Sequence, residues 1–139
     1  MLKQVILFYT LSILIIFLNI IGKEAGTLPG RISLIICKNI RDYIKFEGKI
    51  IVITGTNGKT TTNNLFYEIL KREGKKVICN ISGNNIDRGI TSLLLKNCDL
   101  LGRVNADYLL LETEECYIPL IYSVKNLQID SLVILNLFD

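Results

Sequence analysis

The sequence predicts an α/β protein: a parallel sheet with flanking helices around a P-loop-type turn, preceded by an apolar N-terminal helix. Three observations predict it. Short apolar strand patterns alternate with helical ones from Lys49 onward. One of those strands breaks into the glycine-bearing stretch "GTNGKT" at the head of a helix. And the run from Val5 to Ile21 carries no charge, with only Thr10, Ser12 and Asn19 polar.

The N-terminal run comes first. As a helix its length is roughly 26 Å, the lower limit for crossing a bilayer. Three readings are open: a membrane anchor, a helix buried on the domain or lying on a membrane surface, and a cleaved signal peptide. The run lacks a polar face, which favours an anchor, and no small-x-small cleavage site follows Ile21. Lys23, Arg31, Lys38, Arg41 and Lys45 follow the run, whereas Lys3 alone precedes it. The positive-inside rule then puts the bulk of the chain in the cytoplasm, at the inner face of the plasma membrane.

The Gly/Pro stretch "GKEAGTLPGR" (22–31) marks the best internal boundary. The chain divides into an apolar segment (1–22), a linker with an amphipathic helix (23–48) and a nucleotide-binding α/β part (49–139). In "RISLIICKNIRDYIKF" (31–46), Ile32, Ile35, Ile36, Ile40 and Ile44 recur at helical spacing and predict one amphipathic helix. "KIIVITG" (49–55) is apolar throughout, as in a strand buried on both faces of a parallel sheet. Thr60 to Arg72 reads as a helix with Leu65, Phe66, Ile69 and Leu70 inward, stopped at Gly74. Strands are expected at 75–81, 106–112 and 131–138, and helices from about Ile90 to Asn97 and around 117–126.

Composition narrows the function classes. At 139 residues the chain can hold one domain with a real core. The formal charge is +3 with Lys and Arg scattered, so no nucleic-acid partner is expected. Histidine is absent, which removes His-based acid–base catalysis and His metal ligation. Cys37, Cys79, Cys98 and Cys116 show no C-x-x-C pairing and are expected to be free, mostly buried thiols.

The candidate site lies in residues 55–62. Gly55 and Gly58 let the backbone turn and approach an anion closely, and the amides of Thr56 and Asn57 lie between them. Lys59 is placed for β- and γ-phosphate oxygens. The Thr60 hydroxyl can ligate Mg²⁺, with Thr61 as a weaker alternative. The strict Walker pattern needs a glycine where Ile53 stands, so only the Gly-Lys-Thr half is met. Glu112 ends the third strand, at the sheet edge where parallel sheets meet their ligands, within reach of a cation near Thr60.

"GTNGKTTT" (55–62) resembles the ATP-binding loop of the Mur ligase and folylpolyglutamate synthase superfamily, which uses this shortened Walker variant. "TLPGRISLII", "CNISGNNIDRGI" (79–90), "LLLETEEC" (109–116) and "ILNLF" (134–138) are similar in order and spacing to its MurT branch, the ligase-like subunits of lipid II isoglutaminyl synthase. The resemblance covers roughly residues 22 to 139.

It implies part of the Mur ligase central domain, with ATP and Mg²⁺ as cofactors and Lys59 and Glu112 as catalytic residues. Glu112 would be the family's metal-binding strand-end glutamate. Glu115 would be a second acidic metal residue, and Glu114 stands where Asp is usual; both also read as acids at a helix start that complement its dipole. In the "SGNN" loop, Asn85 would contact nucleotide or substrate. The implied reaction is amidation of the D-glutamate of lipid II to D-isoglutamine. ATP phosphorylates its α-carboxyl, and ammonia from a glutaminase subunit of the GatD type attacks the acyl phosphate.

By the same comparison the rest of the central domain, a cysteine-rich zinc-binding insertion and a C-terminal domain are expected beyond this chain. The 139 residues alone are expected to bind nucleotide weakly and to show no ligase turnover. Three alternatives stay open: another superfamily ligase of the folylpolyglutamate or MurE type, a P-loop NTPase acting as a switch or motor, and a non-catalytic membrane-tethered binding protein.

Overall fold

A computed structural model describes residues 27–80, 86–99, 101–124 and 126–136, together with the helical positions Ile6, Tyr9, Thr10 and Ile13. The remainder of the 5–21 run, the loop with Asn85 and residues 137–139 lie outside the described residues. Among the described residues no helix is long and apolar enough to cross a membrane.

The first complete helix, α1 (Leu28–Ile36), starts where Pro29 occupies its first turn, the one place a helix tolerates the missing N–H. A 3₁₀ turn (Ile40–Tyr43) follows, and then β1 (Lys45–Phe46) and β2 (Lys49–Thr54). The α2 helix (Lys59–Arg72) stops at Glu73–Gly74, where Gly74 takes φ 73°. Beyond it come β3 (Val77–Cys79), α3 (Ile86–Asn97), β4 (Arg103–Val104) and β5 (Tyr108–Glu112). A 3₁₀ turn (Glu115–Tyr117) leads into the short α4 (Ile118–Tyr122), and β6 (Ile129–Ile134) closes the series.

The predicted α/β class is borne out. Four strands form a wholly parallel sheet in the order β3-β5-β2-β6, so β2 is central and paired on both sides. That position explains its composition: a strand flanked by two neighbours and covered on both faces needs apolar, β-branched residues throughout. Ile50 and Val52 of β2, with Leu109 and Leu111 of β5, pack into one buried cluster with Ile90, Leu94, Leu95, Ile40, Ile44 and Ile121. Each such residue contributes about 1.5–3 kcal/mol on burial. The alternate residues point to the opposite face, where α2 packs on β2, β3 and β5. A separate two-stranded parallel pair, β1 with β4, was not expected from the sequence.

Several expected elements are corrected. The single helix expected over 31–46 is instead the end of α1, the 3₁₀ turn Ile40–Tyr43 and the strand β1. Cys37 turns extended (φ −144°, ψ 101°) after α1, and the 3₁₀ turn resumes with Ile40 N–H on Cys37 O at 3.1 Å. Isoleucine spacing of three to four persists across this break, so periodicity alone could not detect it. Ile40 and Ile44 are buried, but Ile35 and Ile36 face solvent. Leu65 and Ile69 of α2 are likewise exposed rather than inward. The helix expected around 117–126 ends at Tyr122, after starting at the Pro119 turn. The last strand, expected over 131–138, runs over Ile129–Ile134 and has ended at residues 135–136, with 137–138 outside the described residues, and α3 begins at Ile86 rather than Ile90. Cys37, Cys79 and Cys98 are free and half-buried, and Cys116 is free and exposed.

Candidate functional site at the carboxyl edge of the sheet

The carboxyl ends of β2 and β5 lie side by side, with Ile53 level with Glu112 in the parallel register. The chain leaves β2 at Thr54, turns through residues 55–58 and enters α2 at Lys59. Gly55 has φ 138° and Gly58 φ 84°, backbone states that L side chains rarely adopt. At Gly55 a Cβ would also lie 3.0 Å from Asn136 O and 3.1 Å from Leu135 Cβ. Both glycines are therefore required by the turn itself.

Gly58 is the N-cap of α2 and offers no side chain to its first-turn amides. A helix start with uncapped N–H groups carries partial positive charge and suits an anion such as a phosphate. The Lys59 ammonium donates to Gly55 O at 2.5 Å, lying across the turn it would leave to meet a phosphate. Asn136, just past β6, holds the turn from behind. Its Oδ1 accepts from Asn57 N–H at 2.9 Å, its Nδ2 donates to Asn57 O, and its carbonyl accepts from Thr56 N–H at 3.0 Å.

Thr60 and Glu112 come together: the Thr60 hydroxyl donates to Glu112 Oε1 at 2.8 Å. Thr61, one residue on, is exposed on the same first turn. The second carboxylate oxygen, Glu112 Oε2, is buried without a hydrogen-bond partner. A buried acceptor normally has a partner, so this oxygen is the atom a bound cation would satisfy. Among the described residues no group of three or more His, Cys, Asp or Glu side chains converges to hold a metal.

Two oxygen donors, completed by phosphate oxygens and water, are the usual environment of Mg²⁺ rather than of a soft metal. Burial pushes the nearby Cys79 thiol up from its ordinary range. The Asn63 amide pulls it back in part, and the Glu112 charge raises it further.

Glu114 and Glu115 follow on the edge, at the start of the exposed 3₁₀ turn, and neither is joined to Thr60 or Glu112 by a hydrogen bond among the described residues. Asn85 lies outside the described residues.

Sequence reasoning missed two members of the site. Asn80 follows β3, and its side chain acts as one more rung of the ladder beyond Cys79↔Leu110. Its Oδ1 accepts from Glu112 N–H at 2.8 Å, and its Nδ2 donates to Glu112 O at 2.9 Å. Asn63, fully buried in α2, reaches Asn80 O at 3.5 Å and leaves its own Oδ1 unpartnered. A polar amide at the carboxyl end of an apolar strand, as in "KKVICN", was the available signal for Asn80.

Clefts among the described residues also open away from this edge, one of about 790 Å³ lined by Lys45, Asp99 and Arg103. Another of about 450 Å³, lined by Glu47, Gly48, Lys49 and Asp107, opens at the amino edge of the sheet. Parallel sheets bind ligands at the carboxyl edge, and the glycine turn there is an open shelf. The assignment therefore follows backbone geometry rather than cavity size.

The model of the Mur ligase middle domain matches residues 53–138, from the end of β2 past β6. This chain belongs to the Mur ligase middle-domain family. Among curated relatives, the Streptococcus pneumoniae lipid II isoglutaminyl synthase (glutamine-hydrolyzing) subunit MurT is 40% identical over 72 residues, 52% of this chain and 16% of the relative. The Staphylococcus aureus subunit of the same name is 40% identical over 76 residues, 54% of this chain and 17% of its own length. The UDP-N-acetylmuramoylalanine--D-glutamate ligase of Koribacter versatilis is 38% identical over 85 residues, 61% of this chain and 18% of that enzyme. The match thus spans about a sixth of the length of these Mur ligase relatives. It takes in the glycine turn, α2 and the Glu112 strand end.

Proposed function

We propose that this chain supplies the ATP-binding part of an ATP-dependent carbon–nitrogen ligase of peptidoglycan synthesis. The kind of ligase is the one that amidates the D-glutamate of lipid II to D-isoglutamine. The observation that carries the reading is the Thr60–Glu112 pair beside the uncapped start of α2, with Glu112 Oε2 left open. In this reading the first-turn amides and Lys59 hold the nucleotide phosphates and offset the charge of the transferring phosphoryl group. Thr60 and Glu112 hold Mg²⁺, with Glu115 as a further candidate. The ion supplies charge neutralisation on the phosphate oxygens.

The MurT subunits among the relatives support the acceptor and the partner: lipid II, and a glutaminase subunit that delivers ammonia. Such a substrate fits an enzyme at the cytoplasmic face of the membrane. The D-glutamate ligase relative favours a second reading, in which free D-glutamate rather than ammonia attacks the activated carboxyl.

Two experiments test this. Titration of the chain with Mg²⁺-ATP should show binding that Lys59→Ala weakens about tenfold or more, the worth of one charge-assisted contact. Equal affinity in both would sink the phosphate-loop assignment. For the acceptor, the complete ligase carrying this segment should convert lipid II to its D-isoglutamine form when given Mg²⁺-ATP, glutamine and its glutaminase subunit. Addition of D-glutamate to a UDP-linked muramoyl-alanine would instead assign the second reading.

A further inference from the structure

The α1 helix packs with its apolar face outward. Leu28, Ile35 and Ile36 are 47%, 74% and 60% exposed, whereas Pro29, Gly30 and Ser33 are buried against α3. Positions 28, 31, 32, 35 and 36 share one side of a helix, so the outward stripe reads Leu-Arg-Ile-Ile-Ile.

This rotation is pinned from the inside. Gly30 N–H donates to Ser92 Oγ at 2.7 Å, and a Cβ on Gly30 would sit 2.1 Å from Arg88 O. Only a face of small residues can make so close a contact, and that places the isoleucines opposite.

The charged residues within α1 and up to Lys38 are basic, and the flanking acids in sequence are Glu24 and the exposed Asp42. Arg31 and Lys38 are exposed at the stripe and its end, and no carboxylate occurs between Ala25 and Arg41. Upstream, Ile6, Tyr9 and Ile13 are also exposed, at the spacing of one helix side within an uncharged run. An apolar helix stripe with basic residues and no acid within it, and further exposed apolar side chains upstream at Ile6, Tyr9 and Ile13, has the chemistry of a helix lying in a lipid headgroup region.

We propose that the outer face of α1 docks on an anionic lipid bilayer, with Leu28, Ile32, Ile35 and Ile36 entering the acyl boundary and Arg31 and Lys38 meeting lipid phosphates. The proposal does not depend on the nucleotide reading.

The chain has no tryptophan, so Ile35→Trp gives it a single reporter at a position where a larger side chain costs little. With vesicles of phosphatidylglycerol and phosphatidylcholine, emission at position 35 should shift to the blue and be quenched by brominated acyl chains. The same reporter in Leu65→Trp, on α2 across the sheet, should not respond. This positional readout separates α1 from any membrane binding by residues 5–21. Arg31→Gln with Lys38→Gln in the Ile35→Trp background should weaken the vesicle titration at least tenfold, taking about fivefold per basic residue.

No quenching at position 35, or equal quenching at positions 35 and 65, would overturn the proposal. So would binding to pure phosphatidylcholine that matches the anionic vesicles. A blue-shifted emission before any lipid is added would show that residues 5–21 or a second copy of the chain covers the face instead.

Discussion

Replacing Asn80 should loosen both the fold and the candidate site, because one side chain ends the β3–β5 ladder. Its amide bonds both backbone groups of Glu112, at 2.8 and 2.9 Å, where β3 itself has stopped. Asn80→Ala removes two bonds worth about 1 kcal/mol each. Asn80→Asp keeps the shape and the acceptor for Glu112 N–H. It puts an oxygen where Nδ2 donates to Glu112 O, trading a hydrogen bond for an acceptor–acceptor contact that costs about 2–3 kcal/mol in all.

Asn80→Ala should therefore lower the urea midpoint by roughly 1–2 M and Asn80→Asp by roughly 1–3 M, for a slope of 1–2 kcal/mol/M, followed by far-UV circular dichroism. Glu112 would also lose its fixed position beside Thr60, so the gain in ATP affinity on adding Mg²⁺ should shrink several-fold. A midpoint for Asn80→Asp within about 0.3 M of the parent, with the Mg²⁺ effect intact, would rule this out. The side-chain rung would then carry no weight.

Other expectations concern the packing of α1 and the thiols. Gly30→Ala should cost about 1–3 kcal/mol through overpacking, because its Cβ meets Arg88 O at 2.1 Å. Hydrogen exchange should then accelerate in α1 while β2 stays protected, and unchanged α1 protection would contradict the close contact with α3. Burial, aided by the Asp99 charge, pushes the Cys98 thiol from 9.0 up to about 11. The folded state thus holds a proton that the unfolded chain releases above pH 9, so this contribution to stability is intact below that pH and is lost as pH climbs towards 11. A thiol reagent at pH 8 should label the exposed Cys116 and spare Cys98, and Cys98→Ser should flatten the alkaline fall in the urea midpoint.

How much was legible follows from how local each signal is. The strand 49–55, the glycine turn and the head of α2 were readable because β-branched residues, glycines and the Gly-Lys-Thr order act within a few positions of themselves. Glu112 was readable because an acid that ends an apolar strand stands at the sheet edge where ligands bind. Asn80 and Asn63 were not, since their meaning lies in partners on other elements. The rotation of α1 was hidden for a different reason. Periodicity shows that a helix has an apolar side, but not that the side is buried. At α1 the close contact of Gly30 and Ser33 with α3 outweighed the isoleucines, and in α2 the buried position belongs to Asn63 while Leu65 and Ile69 face out.

The open oxygen of Glu112 makes a last prediction with opposing signs. Leaving Oε2 buried without a partner costs the folded chain about 1 kcal/mol or more. Glu112→Gln keeps Oε1 as the acceptor for Thr60 and replaces a buried unpartnered charged oxygen by a buried unpartnered but neutral amide, which costs less to desolvate, so without ligand the variant should be the more stable by about 1 kcal/mol. With Mg²⁺-ATP the order should reverse. The parent gains RT ln(1 + [L]/Kd), which passes 1 kcal/mol once ligand exceeds roughly four to five times Kd and reaches ~2.7 kcal/mol at a hundredfold excess. The variant lacks the metal-binding charge and gains little. Urea midpoints measured against Mg²⁺-ATP concentration should therefore cross. Parallel curves would mean that Glu112 holds no cation. A variant already weaker in the absence of ligand would mean that the carboxylate is a structural group with partners of its own.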